Sequence, residues 1–385
     1  MLPVHQRLIH LLEERGELDR QLEFLPGDSE IDRRFAAGHG LRSPEFSVLV
    51  AYSKLALKAD LLPSELPDDP WFQQTLTKYF PNALREDYQA QLAEHPLRRE
   101  IITNMVVNSM VNRGGITFAF RAMEETGATP EQVARAFVVA REIFDLLGFV
   151  REVEDLDNVV PTEAQTQLYL EFRRLIDRSV RWILTSRPSR LDVASEVARF
   201  GDVVAEFAPK IPELLKGAEL KRLQRNAATI EKAGVPADLA LRSASLLDQF
   251  SLLDIVDIAS DTGEPPADVA PLYFVLSERF GIDAMLTRVT NLPRDDRWDA
   301  LARGALRDDL YAVLESLVRS VIDASTPGSA PLARYEQWAK ANAESLNRAK
   351  TALSGIEQMD KPNIAALSVA LRTLRSVIKS GSATS

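Results

Sequence analysis

Residues 104–128 read NMVVNSMVNRGGITFAFRAMEETGA. Two adjacent glycines, Gly114 and Gly115, interrupt an apolar text. Three asparagines, Asn104, Asn108 and Asn112, recur at every fourth position before them. Paired glycines let backbone approach a phosphate. That chemistry needs a strand, then a glycine-rich loop, then a helix whose first N–H groups point at the anion. Here a long helix-forming run stands where the strand would be, and neither G-x-G-x-x-G nor G-x-x-x-x-G-K-[ST] occurs. The pair therefore reads as a helix junction. Gly114 is expected in a left-handed or turn conformation, with a new helix beginning near Ile116.

The asparagines fall within one arc of about 80° on a helix. Met105, Val106, Val107, Met110 and Val111 cover much of the remaining surface, and a helix apolar nearly all round is usually buried. Buried amides must find hydrogen-bond partners. The stripe is then a polar ladder that fixes helix register, or else a ligand or subunit contact. A second constellation is EFRRLIDRSVRWILTSRPSR, with arginines at 173, 174, 178, 181, 187 and 190 against Glu171 and Asp177. Arg174, Arg178 and Arg181 share one helix face. An anion site or an acidic partner surface competes there with simple pairing to acidic segments such as REVEDLDN at 151–158. Pairing is the expectation, because most charged stripes are solvated faces.

No other residues group into chemistry. His5, His10, His39 and His95 lack metal-binding spacing, and no G-x-S-x-G is present. The chain has no cysteine, which excludes disulfides, thiolate metal sites and cysteine nucleophiles. The residues thus name no catalytic, cofactor-binding or metal-binding side chain. What remains is the Gly114–Gly115 helix junction.

The elements that position these residues are helices almost throughout, since apolar residues recur at spacings of three and four. Thr129-Pro130-Glu131-Gln132 has the form of a capping box, Thr162 and Gln165 repeat it, and Ser43-Pro44-Glu45 places a cap before proline. Gly16, Gly127 and Gly234 follow periodic runs as helix stops. The expected fold is all-α, an irregular multi-helix bundle without a Rossmann domain. Three zones follow: a proline-punctuated segment at 1–96, a long-helix core at 97–185, and a C-terminal bundle at 191–385. SRPSR at 186–190 is the linker, and STPGSAP at 325–331 is a weaker break.

With 385 residues, 45% hydrophobic, the chain can bury a sizeable core in two or three domains. A net charge of −10 argues against a nucleic-acid partner. No run approaches the roughly 20 apolar residues of a spanning helix, and the first residues lack the apolar core of a signal peptide. A cytoplasmic protein with no membrane partner is the expectation.

Several motifs in order resemble one family. They are GLRSPEFSVLVAYSKLALKADLLPSELPDDPWF, TKYFPNALREDYQAQLAEHPLRREI, the NRGGITF junction and VPTEAQTQLYLEFRRLIDRSVRWIL. Together they are similar to the C-terminal region of the large bacterial NAD-dependent glutamate dehydrogenases, from about residue 2 to about 210 and more loosely to the end. The resemblance implies a helical region that braces a catalytic domain and builds contacts of a homo-oligomer, and it gives Asn108, Asn112, Arg113, Gly114 and Gly115 a structural role at a helix junction. The whole enzyme would convert L-glutamate, NAD and water to 2-oxoglutarate, ammonia and NADH. The family's glycine fingerprint, substrate lysines and catalytic aspartate belong to another part, so NAD is a cofactor of the full-length enzyme and not of this chain. The chain is expected to be a fragment, inactive alone, with the upstream catalytic domain of the same polypeptide as its partner. The alternative is a stand-alone helical adaptor that shares this domain.

Overall fold

A computed structural model describes residues 2–187, 190–292, 297–357, 359 and 363–382. Among them every regular element is a helix and no strand occurs, as the three-and-four apolar spacing requires. The chain divides into two compact units, Met1–Leu147 with Arg173–Ala198, and Gly148–Phe172 with Arg199–Ser385.

The first unit begins with α1 (Leu2–Glu14), α2 (Asp28–Ala36), α3 (Ser43–Leu61), α4 (Pro70–Leu76), α5 (Asn82–Asp87) and α6 (Gln89–Ala93). It continues with α7 (Arg98–Gly114), α8 (Phe118–Thr126) and α9 (Pro130–Ile143). α9 is its centre. Every residue from Val133 to Ala140 is buried, so this helix has no solvent face. Even Arg135 is buried; its guanidinium pairs with Asp69 and Glu131 and lies 5.8 Å from the centre of the Phe72 ring. Pairing of this kind is what a buried charge needs. Phe118 and Phe137 meet edge to face at 5.7 Å, joining α8 to α9. α7 packs against α3, α4, α8 and α9.

The chain leaves the first unit within α10 (Leu146–Glu154), returns within α11 (Thr162–Ser186), and leaves again within α12 (Val193–Phe207). The second unit then holds α13 (Ile211–Leu214), α14 (Gly217–Lys232), α15 (Ala237–Gln249), α16 (Ser251–Thr262), α17 (Pro266–Phe280) and α18 (Ile282–Thr290). It ends with α19 (Arg297–Asp323), α20 (Pro331–Ala341), α21 (Ala343–Glu357) and α22 (Ile364–Ser382). Its core runs along α16, buried from Ser251 to Ala259, with α17 and α19 against it. Buried polar groups here are bonded to one another. The Tyr273 hydroxyl donates to Asp254 at 2.9 Å, and Arg199 donates to Asp257 at 2.6 Å. Arg334, 1% exposed, forks onto Glu264 at 3.0 and 3.1 Å and donates to Ser325 at 2.8 Å.

Most helix ends follow their local chemistry. The Thr129–Gln132 box closes with both bonds, at 2.9 and 3.2 Å. Gly16, Gly127 and Gly234 all take positive φ, which only glycine adopts freely. Two starts differ from expectation. At α3 the cap is Arg42, one residue earlier than Ser43, and its N–H donates to Glu45 at 2.7 Å. At α11 Gln165 does not close a box on Thr162; its amide donates to Asp157 at 2.9 Å. Of the SRPSR linker, Pro188 and Ser189 lie outside the described residues. The 325–331 break separates α19 from α20.

The buried Arg334–Glu264 pair sets a test. Glu264→Ala would strand a buried guanidinium and is expected to destabilise the second unit by about 3–5 kcal/mol. The double variant Arg334→Met, Glu264→Leu is expected to lose much less. Urea melts followed by circular dichroism check both.

Candidate functional site

The two glycines at the corner do different work. Gly114 is the last residue of α7, still helical and buried. A Cβ there would meet the Phe118 ring at 2.7 Å. Gly114 is thus the small residue that lets the first ring of α8 pack on the end of α7. Gly115 carries the turn, at φ 96° and ψ 164°, a region essentially closed to other residues. This corrects the sequence expectation, which placed the special backbone at Gly114. α8 also begins later than expected, at Phe118, because Ile116 and Thr117 complete the turn. The Phe118 N–H closes it on the Gly115 carbonyl at 3.1 Å.

α11 supplies the other wall of the corner. A Cβ on Gly115 would meet Arg173 Nη2 at 2.6 Å. Four residues along α11, Asp177 accepts both its bonds from Arg121 at 3.0 and 3.1 Å. Four residues further, Arg181 donates to Glu125 at 2.6 Å. Residues four apart share a helix face, so Arg173, Asp177 and Arg181 form one stripe against Gly115, Arg121 and Glu125. Of the expected face of Arg174, Arg178 and Arg181, Arg181 belongs to this stripe, Arg178 is half-buried and Arg174 is exposed. Burial pushes the Glu125 carboxyl up, over the opposing pull of Arg181 and Arg121. Outside the stripe, Arg187 lies 3.5 Å from Glu196 and Arg190 lies 2.7 Å from Glu65. Arg181, Arg187 and Arg190 thus pair with acidic residues on α8, on α12 and in the 61–70 turn, as the expectation of pairing with acidic segments has it.

The asparagine stripe takes the open side of α7. Asn104 and Asn108 are half-buried and Asn112 is exposed, while Ile102, Val106, Val107, Met110 and Val111 are buried. The expectation of buried or half-buried amides holds for Asn104 and Asn108 and fails for Asn112. Neighbouring helices cover the apolar arcs, and Asn112 lies on the arc left to water, where its hydrogen bonding costs nothing. Arg113 donates to Ser109 at 3.2 Å, and Arg141 of α9 approaches the same hydroxyl at 3.4 Å. The structure therefore brings Arg113, Gly114 and Gly115 to one packed corner and sets Asn108 and Asn112 beside it on an open face.

One group escaped the sequence reading. Glu219 on α14 is 5% exposed. Its Oε1 accepts from the Ser277 hydroxyl at 2.7 Å, and its Oε2 is buried without a partner. On the same helix, Arg222 donates to Asp248 at 2.6 Å and to Asp283 at 3.0 Å. Burial pushes the Glu219 carboxyl up to about 7; Asp283 and Asp248 add to this, and Ser277 and Arg222 oppose it. The local text GAELKRLQRN gave no sign of it, because the burial comes from Ser277 and its helix, about sixty residues away. Elsewhere a shallow depression of about 570 Å3 lies along the loop from Asp157 to Gln165. Among the described residues no cluster of histidines and carboxylates is placed to hold a metal ion, and no helix is long and apolar enough to cross a membrane.

The comparisons with known proteins place this corner in a family. Residues 38–376 match the family described as "Glutamate dehydrogenase, C-terminal". The chain belongs to that family. It is similar to three proteins named NAD-specific glutamate dehydrogenase. That of Mycobacterium tuberculosis is 41% identical over 376 residues, that of Pseudomonas aeruginosa 37% over 376, and that of Halomonas elongata 32% over 378. Each alignment takes in 97–98% of this chain and 23% of the relative. The chain thus spans just under a quarter of the length of the curated relatives it matches.

The relatives' name raises NAD, and the glutamate dehydrogenase C-terminal corner does not fit it. The space beside Gly115 that a pyrophosphate would need is taken by the Arg173 guanidinium. The element before the glycines is α7, not a strand, so the dinucleotide arrangement is missing.

Variants at the corner and at the buried carboxyl have distinct expected outcomes. Gly115→Ala is expected to destabilise the fold by about 2 kcal/mol through the closed backbone region alone. Arg173→Ser in the same background should recover only the part caused by collision, read from paired urea melts. Glu219 sets a pH dependence. Its folded pKa, about 7, stands above the ordinary 4.5, so the folded state holds a proton that the unfolded state releases. The stabilisation is complete below about pH 4.5 and is lost as pH rises through 7, an effect on the order of 2–3 kcal/mol. Glu219→Gln should flatten that slope in melts taken between pH 5 and 8.

Proposed function

We propose that this chain acts as the helical C-terminal part of an NAD-dependent glutamate dehydrogenase. In that role it braces the catalytic part of the same polypeptide and contributes to contacts between subunits in a cytoplasmic homo-oligomer. The reaction of the whole enzyme is the oxidation of L-glutamate with NAD and water to 2-oxoglutarate, ammonia and NADH. The observation that carries this reading is the family match over residues 38–376, joined to relatives that are about four times as long. The corner supports it. Gly114, Gly115 and the α11 charge stripe build a rigid angle between packed helices and present no reacting group.

On this reading the 385-residue chain contributes scaffold and no chemistry. Purified alone, it is expected to give no NADH from L-glutamate and NAD. The upstream coding frame is expected to encode a dinucleotide-binding part. Steady NADH formation by the isolated chain, or stop codons directly upstream, would count against the proposal.

A further inference from the structure

α3 is apolar on two opposite sides. Leu49, Ser53 and Leu57 face the core and are buried. At 100° per residue, Val48, Ala51, Leu55 and Ala59 line the other side. Val48 is half-buried, and the other three are exposed, Leu55 by 56%. A helix apolar on two opposite sides is suited to being covered on both.

The turn before α2 extends the same surface. The Tyr52 hydroxyl, beside Ala51 on α3, donates to Glu23 at 2.6 Å. Glu23 stands between Leu22, 73% exposed, and Phe24, 89% exposed. Phe24 also has φ +54°, a conformation uncommon for a bulky side chain. The turn is braced by its own hydrogen bonds, Leu25 N–H to Arg20 at 3.0 Å and Phe24 N–H to Gln21 at 3.3 Å. The chain thus holds an aromatic ring out in water on a strained and well-tied backbone. Exposed apolar side chains also concentrate at this end. Nine of the sixteen large ones found among the described residues precede residue 98.

We infer that the outer side of α3, with Leu22 and Phe24, is the surface on which the folded catalytic part of the same longer polypeptide docks. The inference rests on the proposed function above and names the face that function requires. The length of the relatives supplies the occupant: about three quarters of their chain lies outside the region matched here, and the matched family is described as C-terminal. One edge of the surface is basic. Lys54 and Lys58 edge the stripe and have no ion-pair partner among the described residues. The nearby carboxylates are engaged, Asp60 by Arg15 and Glu45 by Arg34. The fitting occupant is an apolar surface with carboxylates at its rim.

Hydroxyl-radical footprinting tests the assignment on two samples: the 385-residue chain alone, and the full polypeptide translated from its coding frame. Oxidation at Phe24 and Leu55 is expected to fall at least fivefold in the full polypeptide. Leu55→Glu charges the outer side and leaves the buried side intact. It should restore labelling at Phe24 in the full polypeptide, with the thermal melt of the isolated chain unchanged. Equal labelling in both samples, in a full polypeptide that oxidises glutamate, would overturn the docking surface and leave the proposed function standing. Protection that rises with the concentration of the isolated chain would overturn the occupant in favour of a second copy. A coding frame with no dinucleotide-binding part upstream would overturn the function and this surface together.

Discussion

The stripe of alternating charge on α11 is the constraint on which the angle of the first unit depends. Arg173, Asp177 and Arg181 stand one helical turn apart and meet Gly115, Arg121 and Glu125 in register. Half-buried ion pairs of this kind lose much of their attraction to desolvation. Their value here is register: opposite signs at consecutive steps oppose a slip of one turn, because a slip would bring like charges together. With α8 held in register, Phe118 is held on Gly114 and Phe137 on Phe118. The wholly buried α9 then has a fixed neighbour. A polar seam on the outside thus sets the packing of an apolar centre.

The second unit solves a different problem. Its central helices carry Asp254, Asp257 and Glu219 into places where water is excluded. Tyr273, Arg199 and Ser277 answer them through specific bonds. Such groups add little net stability over well-packed apolar side chains, but each partner is directional and restricts the ways in which α14, α16 and α17 pack together. Glu219 is the exception in chemistry, since one of its oxygens is left without a partner. Holding a proton is how a buried carboxyl avoids an uncompensated charge.

The helical class and the positions of most helix ends were legible in the text, because they depend on residues a few positions apart. The Thr129–Gln132 box and the glycine stops are local devices, and they form as written. The family was legible for the same reason, in ordered motifs. What depends on distant residues was not. That Gly115 rather than Gly114 bears the positive φ follows from how Phe118 packs. That Arg173, rather than Arg174, belongs to the packed stripe follows from the direction in which α11 crosses α8. The open position of the asparagines follows from which sides of α7 its neighbours happen to cover. The raised titration of Glu219 follows from burial among helices packed around it, against which the Ser277 hydrogen bond works.

Gly115 also gives the corner a handedness. The residue has two hydrogens, and they are not equivalent. The one that an L side chain would replace faces the Arg173 guanidinium; the other lies on the opposite side of Cα. The backbone angles at this position are the mirror image of ordinary extended angles. A D-alanine introduced there by chemical synthesis would find the conformation natural and direct its methyl away from Arg173. The requirement at this corner is therefore one of chirality as well as size, and glycine is the only encoded residue without a chiral centre to violate it.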